Sequence, residues 1–349
     1  MMNRKTLILL ICAILGAMTA CSDKNKVPQP AGSVTITFST GGPETRAGNG
    51  DATDGGGIVV DGSGNPDLYI AIANYQGSII ATYTGSDTAV AELESSTSTT
   101  ASIRFKTITN SGDYTVYALA NATGDEWGAP SSASAWNAIT TASAMDALTF
   151  TALAGAYTLH DYTDANSRMP ISAKGTLSIS EGLNGHLELE MKRCVGKVGF
   201  KFKNETGASL SLTDCRVTLE DINPTNGYLF PRASDATGTP RDLVLNMGDF
   251  VIPTDSYSDI YCLRLVFPSL APERAVGSRY FCNIEFAANG GSTQTFEELP
   301  IHDKHSSDIT ALGRNQYLMV ETRINKGYNI SFNFEVLDWD HTDEEITFH

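Results

Sequence analysis

Along most of this chain, apolar residues alternate with polar ones or gather in short β-branched and aromatic runs, with Gly, Asn, Asp, Ser and Pro between them. A two-residue period puts successive side chains on opposite faces, the pattern of strands with one buried side. Val34-Thr35-Ile36-Thr37-Phe38 is a short example, and residues 68–73, 77–83, 102–106 and 113–120 follow it. Residues 131–148 break the pattern: they are Ala-rich, with Trp136, Ile139 and Met145 near helical spacing, which predicts short helices. Residues 175–180 and 185–191 then predict two strands around a turn at 181–184. Residues 195–203 form a longer alternating strand, apolar on one side and Lys-bearing on the other. Residues 211–221, 261–267, 280–287, 317–324 and 328–337 complete the series.

Strands at short intervals with few helices predict a mainly β fold made of sandwiches. Without its N-terminal segments the chain keeps roughly 300 residues, enough for two domains. The pattern restarts after the helical stretch, so the expected division is an N-terminal β-sandwich over 47–184, with the short helices, and a C-terminal β-sandwich over 185–349.

The N-terminus has the form of an export signal over residues 1–20. Arg4 and Lys5 precede an apolar run over 7–18 that is too short to span a bilayer comfortably, and small Thr19-Ala20 lead into Cys21. That arrangement makes Cys21 the expected lipidation site, although Met18 departs from the usual Leu; an ordinary signal peptide followed by an unrelated cysteine is the alternative. Residues 21–46 are then a lipidated tether followed by a first strand around Val34, Ile36 and Phe38.

Arg46 is a lone basic residue in Gly42-Pro43-Glu44-Thr45-Arg46-Ala47-Gly48, and the whole of 41–66 is Gly/Asp-rich with little apolar content. A trypsin-like protease can enter such a stretch. Cleavage between Arg46 and Ala47 would free the strand at Val34, Ile36 and Phe38 from everything downstream, leaving its place open to a strand from a neighbour.

Charge and chemistry narrow the function by exclusion. The chain has 40 acidic and 24 basic residues and no basic patch, which argues against nucleic-acid binding. No phosphate loop, nucleophile elbow or zinc-protease motif occurs, and no carboxylate pair stands out, so no enzyme and no cofactor are expected. His302, Asp303 and His305 make an incomplete zinc set and read as a polar loop. The oxygen-rich runs 61–67 and 338–345 lack the full calcium-loop pattern and read as solvated turns, so no metal is expected. Tyr69, Tyr75, Tyr83, Tyr114, Tyr117, Trp127 and Trp136 could supply a sugar platform, but several fall on strand positions, where core packing is the default.

Four cysteines remain beyond Cys12 and Cys21. Cys194 and Cys215 are equidistant from Asn204-Glu205, and Cys262 and Cys282 from Pro272. If each segment is a hairpin, two cross-strand disulfides are within reach; four buried free thiols are the other outcome, since a one-residue slip breaks the pairing.

Three segments carry a family resemblance: Arg168-Met169-Pro170-Ile171-Ser172, Met191-Lys192-Arg193-Cys194-Val195-Gly196-Lys197-Val198, and Leu312-Gly313-Arg314-Asn315-Gln316-Tyr317-Leu318-Met319-Val320 with Trp339 beyond. In that order and spacing they resemble the fimbrillin family, the lipoprotein-derived pilus subunits of Bacteroidota. Gly196 stands where the family usually has Ala. The resemblance implies two transthyretin-like β-sandwich domains and export to the outer membrane as a lipoprotein. It also implies cutting by an arginine-specific protease, here after Arg46, followed by residence in an extracellular fimbrium. The partners it implies are other pilus subunits, joined head to tail, and a surface receptor. A C-terminal strand of the next subunit would fill the vacated groove; the candidate donor is the tail from Tyr328 onward, of which residues 328–337 are expected to stay in their own domain, while Ile346 and Phe348 form the candidate free donor tail. An anchor subunit would keep its lipid and lack the cut site, so Thr45-Arg46-Ala47 argues for a stalk or tip subunit in cell adhesion. A surface glycan-binding lipoprotein that never polymerises is the alternative from another class.

Overall fold

The computed structural model describes residues 33–40, 57–121, 130, 132–150, 170–181, 184–232, 236–258, 262–274, 277–302 and 307–338. Cys21, Arg46, Ala47, Trp127, His305, Ile346 and Phe348 lie outside them.

The chain forms β1 (Val34–Thr40), β2 (Leu68–Ala73), β3 (Ile79–Thr84), β4 (Ala91–Ser96), β5 (Thr100–Phe105) and β6 (Gly112–Ala120). Two five-residue helices come next, Ala133–Asn137 and Ala142–Asp146; Ser132 and Thr141 cap their N-termini, and Trp136 and Met145 are their buried anchors. Then follow β7 (Thr149–Phe150), β8 (Ile171–Ile179), β9 (Gly185–Arg193), β10 (Gly196–Glu205), β11 (Leu210–Leu219), β12 (Asn226–Tyr228), β13 (Ala236–Thr237) and β14 (Leu243–Ile252). The remainder is β15 (Cys262–Val266), β16 (Ser269–Leu270), β17 (Glu273–Arg274), β18 (Gly277–Ser278), β19 (Phe281–Ala288), β20 (Thr293–Pro300), β21 (Ala311–Leu312), β22 (Gln316–Asn325) and β23 (Ile330–Asp338).

The first eight main strands share one sheet in the order β3-β2-β6-β8-β9-β1-β5-β4. Its two halves touch through a narrow corner, because β8 and β9 pair only at Ile171 with Arg193 and Ser172 with Lys192. Beyond that corner the halves face each other over one core that joins Ile70, Ile72, Val116 and Leu177 to Val34, Ile36, Phe38 and Phe105. Gly175 on β8 permits the close crossing: a Cβ there would lie 2.4 Å from a Leu189 methyl on β9. The C-terminal half stacks β15-β10-β22-β23 on β14-β11-β19-β20. Phe200, Phe202, Leu212, Val217, Ile284 and Val320 fill the core between those sheets. A third apolar cluster, with Trp136, Met145, Phe150, Phe230, Phe267 and Tyr317, joins the two halves. The architecture is mainly β with two short helices, as the periodicity predicts.

Three expectations change. Residues 175–180 and 185–191 do not close a tight hairpin; β8 and β9 part at the turn, and β1 takes the free edge of β9 instead. Sheet membership does not change at 184/185 either: β9 belongs with the first sheet, and the switch comes at Cys194-Val195, between β9 and β10. The cysteine pairing fails for a related reason. Strands β10 and β11 are consecutive but lie in opposite sheets, as do β15 and β19, so neither pair of cysteines spans a hairpin. Cys194, Cys215 and Cys282 are buried, and none of the three is in a disulfide.

Burial pushes the Cys215 thiol up to about 12, and burial with the nearby Glu220 carboxylate pushes Cys282 up as well. Thiolate is the reactive form. Folded protein at pH 8 should therefore resist iodoacetamide at Cys215 and Cys282, while denatured, unreduced protein should be alkylated at Cys194, Cys215 and Cys282. Peptide mass spectrometry checks this, and a Cys194–Cys215 cross-linked peptide would contradict it.

Candidate functional site

The first candidate site is the slot that holds β1. Its β-branched Val-Thr-Ile-Thr run suits a pleated strand, and Val34, Ile36 and Phe38 are fully buried. On one edge β1 pairs antiparallel with β5, placing Ile36 opposite Ile103 and Phe38 opposite Ala101. On the other it runs parallel to β9, with Ile36 beside Leu187 and Phe38 beside Leu189. Val34 lies beside Gly185, where an added Cβ would sit 3.0 Å from both the Val34 and Ile179 side chains, so the missing side chain makes the room. Outward-facing Thr35 donates to Glu94 at 3.5 Å, and Thr37 meets Ser102 at 3.5 Å. At the strand ends, Gly185 N–H donates to Ser33 C=O at 3.1 Å and Thr40 N–H to Thr99 C=O at 2.9 Å.

Burying three such side chains is worth about 5–9 kcal/mol at roughly 1.5–3 kcal/mol each. Without β1, the facing edges of β9 and β5 would both present unpaired backbone groups. Covalently, β1 joins the following strands only through residues 41–67, and Arg46 and Ala47 lie within that span. A single cut there would leave β1 held by pairing and packing alone.

The second centre was not legible as a site in the sequence, although its three segments were. Pro170 to Ser172, Arg193 to Gly196 and Gly313 to Gln316 converge beside the corner where β8 meets β9. The Arg314 guanidinium donates to Tyr228 C=O at 3.2 Å, to Leu229 C=O at 3.0 Å and to Cys194 Sγ at 3.0 Å, and also to Ser172 Oγ. Ser172 Oγ–H in turn donates to Leu229 C=O. Arg193 donates to Asn315 Oδ1 at 2.8 Å, Asn315 N–H to Val195 C=O at 2.9 Å, and Cys194 N–H to Pro170 C=O at 2.9 Å. Asn315 adopts a left-handed φ of 54°, which an Asn tolerates better than most residues. At Gly196 a Cβ would lie 2.9 Å from the Gly313 carbonyl oxygen, so the chain has no room for an Ala at this position.

The remaining candidates resolve into structure. Tyr69, Tyr83, Tyr114, Tyr117 and Trp136 are core residues, and of the described aromatics named as a platform only Tyr75 is exposed. Asp61 accepts from Ser63 N–H and Asn65 N–H at 2.8 Å each; these bonds, chiefly from Asn65, hold its carboxyl below the usual range and close the loop on itself. His302 pairs with Asp308 at 2.8 Å. Among the described residues no cluster of His, Cys, Asp or Glu is suited to a metal. The 328–337 run forms β23, paired along its length with β22, in its own sheet as expected. No described helix is long and apolar enough to cross a membrane.

The overall fold has counterparts among solved structures. The fold is similar to that of a solved protein described as a cell-adhesion protein from Parabacteroides distasonis, at 12% identity and a TM-score of 0.56, covering 88% of this chain and 98% of that one. It is also similar to a fimbrilin from Porphyromonas gingivalis, at 12% identity and a TM-score of 0.52, covering 89% and 98%. No curated protein sequence matches the chain. The family model Mfa2, described as fimbrillin-A associated anchor proteins Mfa1 and Mfa2, matches residues 69–345. With most of its length inside that match, the chain belongs to this family of fimbrillin-associated proteins.

Proposed function

We propose that the chain is a structural fimbrial subunit, in the stalk or at the tip, that works in adhesion and joins its neighbours through the slot of β1. In this reading it has no catalytic role. Lipid on Cys21 brings the precursor to the outer membrane, an arginine-specific protease cuts between Arg46 and Ala47, and β1 leaves. The observation that carries the reading is the placement of β1: buried in the core, paired on both edges, and tied to the rest only through the segment that bears Arg46.

The tail carries a matching sequence. Ile346-Thr347-Phe348 repeats the Ile36-Thr37-Phe38 triplet of β1. In that register Glu344 falls where Val34 lies against Gly185, so the tail supplies two of the three inward apolar positions. Two such side chains contribute about 3–6 kcal/mol, less than the three of β1. A tethered β1 also competes at high effective concentration. Exchange by this tail is therefore uphill until the cut removes β1, which gives the protease a physical purpose.

The family description favours a second reading, an anchor subunit that keeps both its lipid and β1. Brief trypsin treatment of the lipid-free precursor separates the two. A subunit yields a core starting at Ala47, loses 33–46, and forms ladders on gels. Ile346→Asp with Phe348→Asp should clip equally well but form no ladder. A core that stays monomeric and retains 33–46 would overturn the subunit reading and leave the anchor. In the uncut precursor, Phe38→Ala should lower stability by about 3–5 kcal/mol, measured by denaturant unfolding.

A further inference from the structure

The junction around Arg314 stands at an informative place in the connectivity. Strand β9 forms one wall of the slot and ends at Arg193, which holds Asn315. Strand β22 begins one residue after Asn315, and its first residue, Gln316, pairs with Asp338, the last residue of β23. The chain therefore leaves β23 towards its C-terminus on the ladder rung next to the junction. Between the slot wall and that exit point lie only Arg193 to Val195 on one side and Arg314 to Gln316 on the other.

We propose that this cluster is a mechanical lock, with Arg314 as its positioning residue, fixing the C-terminal pair of sheets to the corner where β8 meets β9. The planar guanidinium suits the task because its divergent N–H groups reach three separate chain segments at once: Ser172 on β8, Cys194 after β9, and the carbonyls of Tyr228 and Leu229. A lysine ammonium is a compact point donor and cannot span that set. The segments it joins have little ladder pairing with one another, since β8 and β9 share two residue pairs, so side-chain bonds carry what strand pairing does not. If subunits join through the slot and the tail, a reading the lock's role in a fibre rests on, tension between them crosses the molecule at this point and bypasses most of the second core.

The test uses the uncut monomer, so it stands whether or not β1 is ever released. With handles at the two chain ends, single-molecule pulling loads β1 in its slot against the exit of β23. Arg314→Lys should fold and should yield at about half the wild-type force. Amide exchange at Cys194, Leu229 and Asn315 should rise about tenfold in that variant, while Val217 and Ile284 in the second core stay as protected as before. An unchanged yield force, or exchange that rises equally in the second core, would overturn the lock. Loss of ladder formation in cleaved wild-type protein, with the drop in force still present in Arg314→Lys, would instead count against strand exchange alone.

Discussion

The passage of one continuous run from one sheet to another, between Arg193 and Gly196, is the constraint on which the rest of the structure depends. β9 and β10 are covalent neighbours, yet they serve different sheets and different cores. Each takes a parallel partner, β1 for β9 and β22 for β10. Parallel partners cannot come from a tight turn and must arrive from distant parts of the chain. The first strand and the penultimate strand are thus recruited by the same central run. The switch also leaves two chain segments turning at the junction with few ladder bonds, and the terminal nitrogens of Arg314 bond the Ser172 hydroxyl, the Cys194 thiol and the Tyr228 and Leu229 carbonyls there.

The slot and the junction follow from opposite physical needs. β1 is secured by apolar burial and two ladders, but it reaches the following strands through a stretch with almost no apolar content. Its retention is thus strong thermodynamically and exposed to a single covalent cut. The junction has the reverse character. Gly196 allows the Gly313 carbonyl to approach closely, Cys194 contributes its thiol as a small polar partner, and the fork of Arg314 ties three segments together. A bulkier residue at 196 or a disulfide at Cys194 would disturb that packing. This accounts for glycine at position 196 and for a thiol, not a disulfide, at Cys194.

Much of the fold was legible in particular segments. Residues 68–73 and 113–120 became β2 and β6 because dense β-branched and aromatic runs have no competing period. Trp136 and Met145 each anchor a separate five-residue helix, with Ile139 between the two, so the spacing marked the buried side chains rather than one continuous helical face. By contrast the alternation does not reveal β4, β14 and β20. β4 and β20 carry many charged and hydroxyl side chains, and in β14 the bulged pairing around Cys215 and Gly248 interrupts the alternation. The three resemblance segments were visible one by one, but nothing local says that residues 172, 194 and 314 meet.

The sequence by itself determined which residues face inward along strands with clean alternation, such as β1, where the helices interrupt the strands, and that a lone arginine follows the first strand. Those properties are local, set by side-chain period and by backbone freedom in a Gly-rich stretch. Only the tertiary structure decided that β1 sits in the interior of a sheet, that β9 stays with the first core, that the cysteines lie apart, and that Arg314 bridges three segments. Those outcomes depend on which edges find each other across more than a hundred residues, and edge pairing is settled by the packing of whole sheets on a shared core.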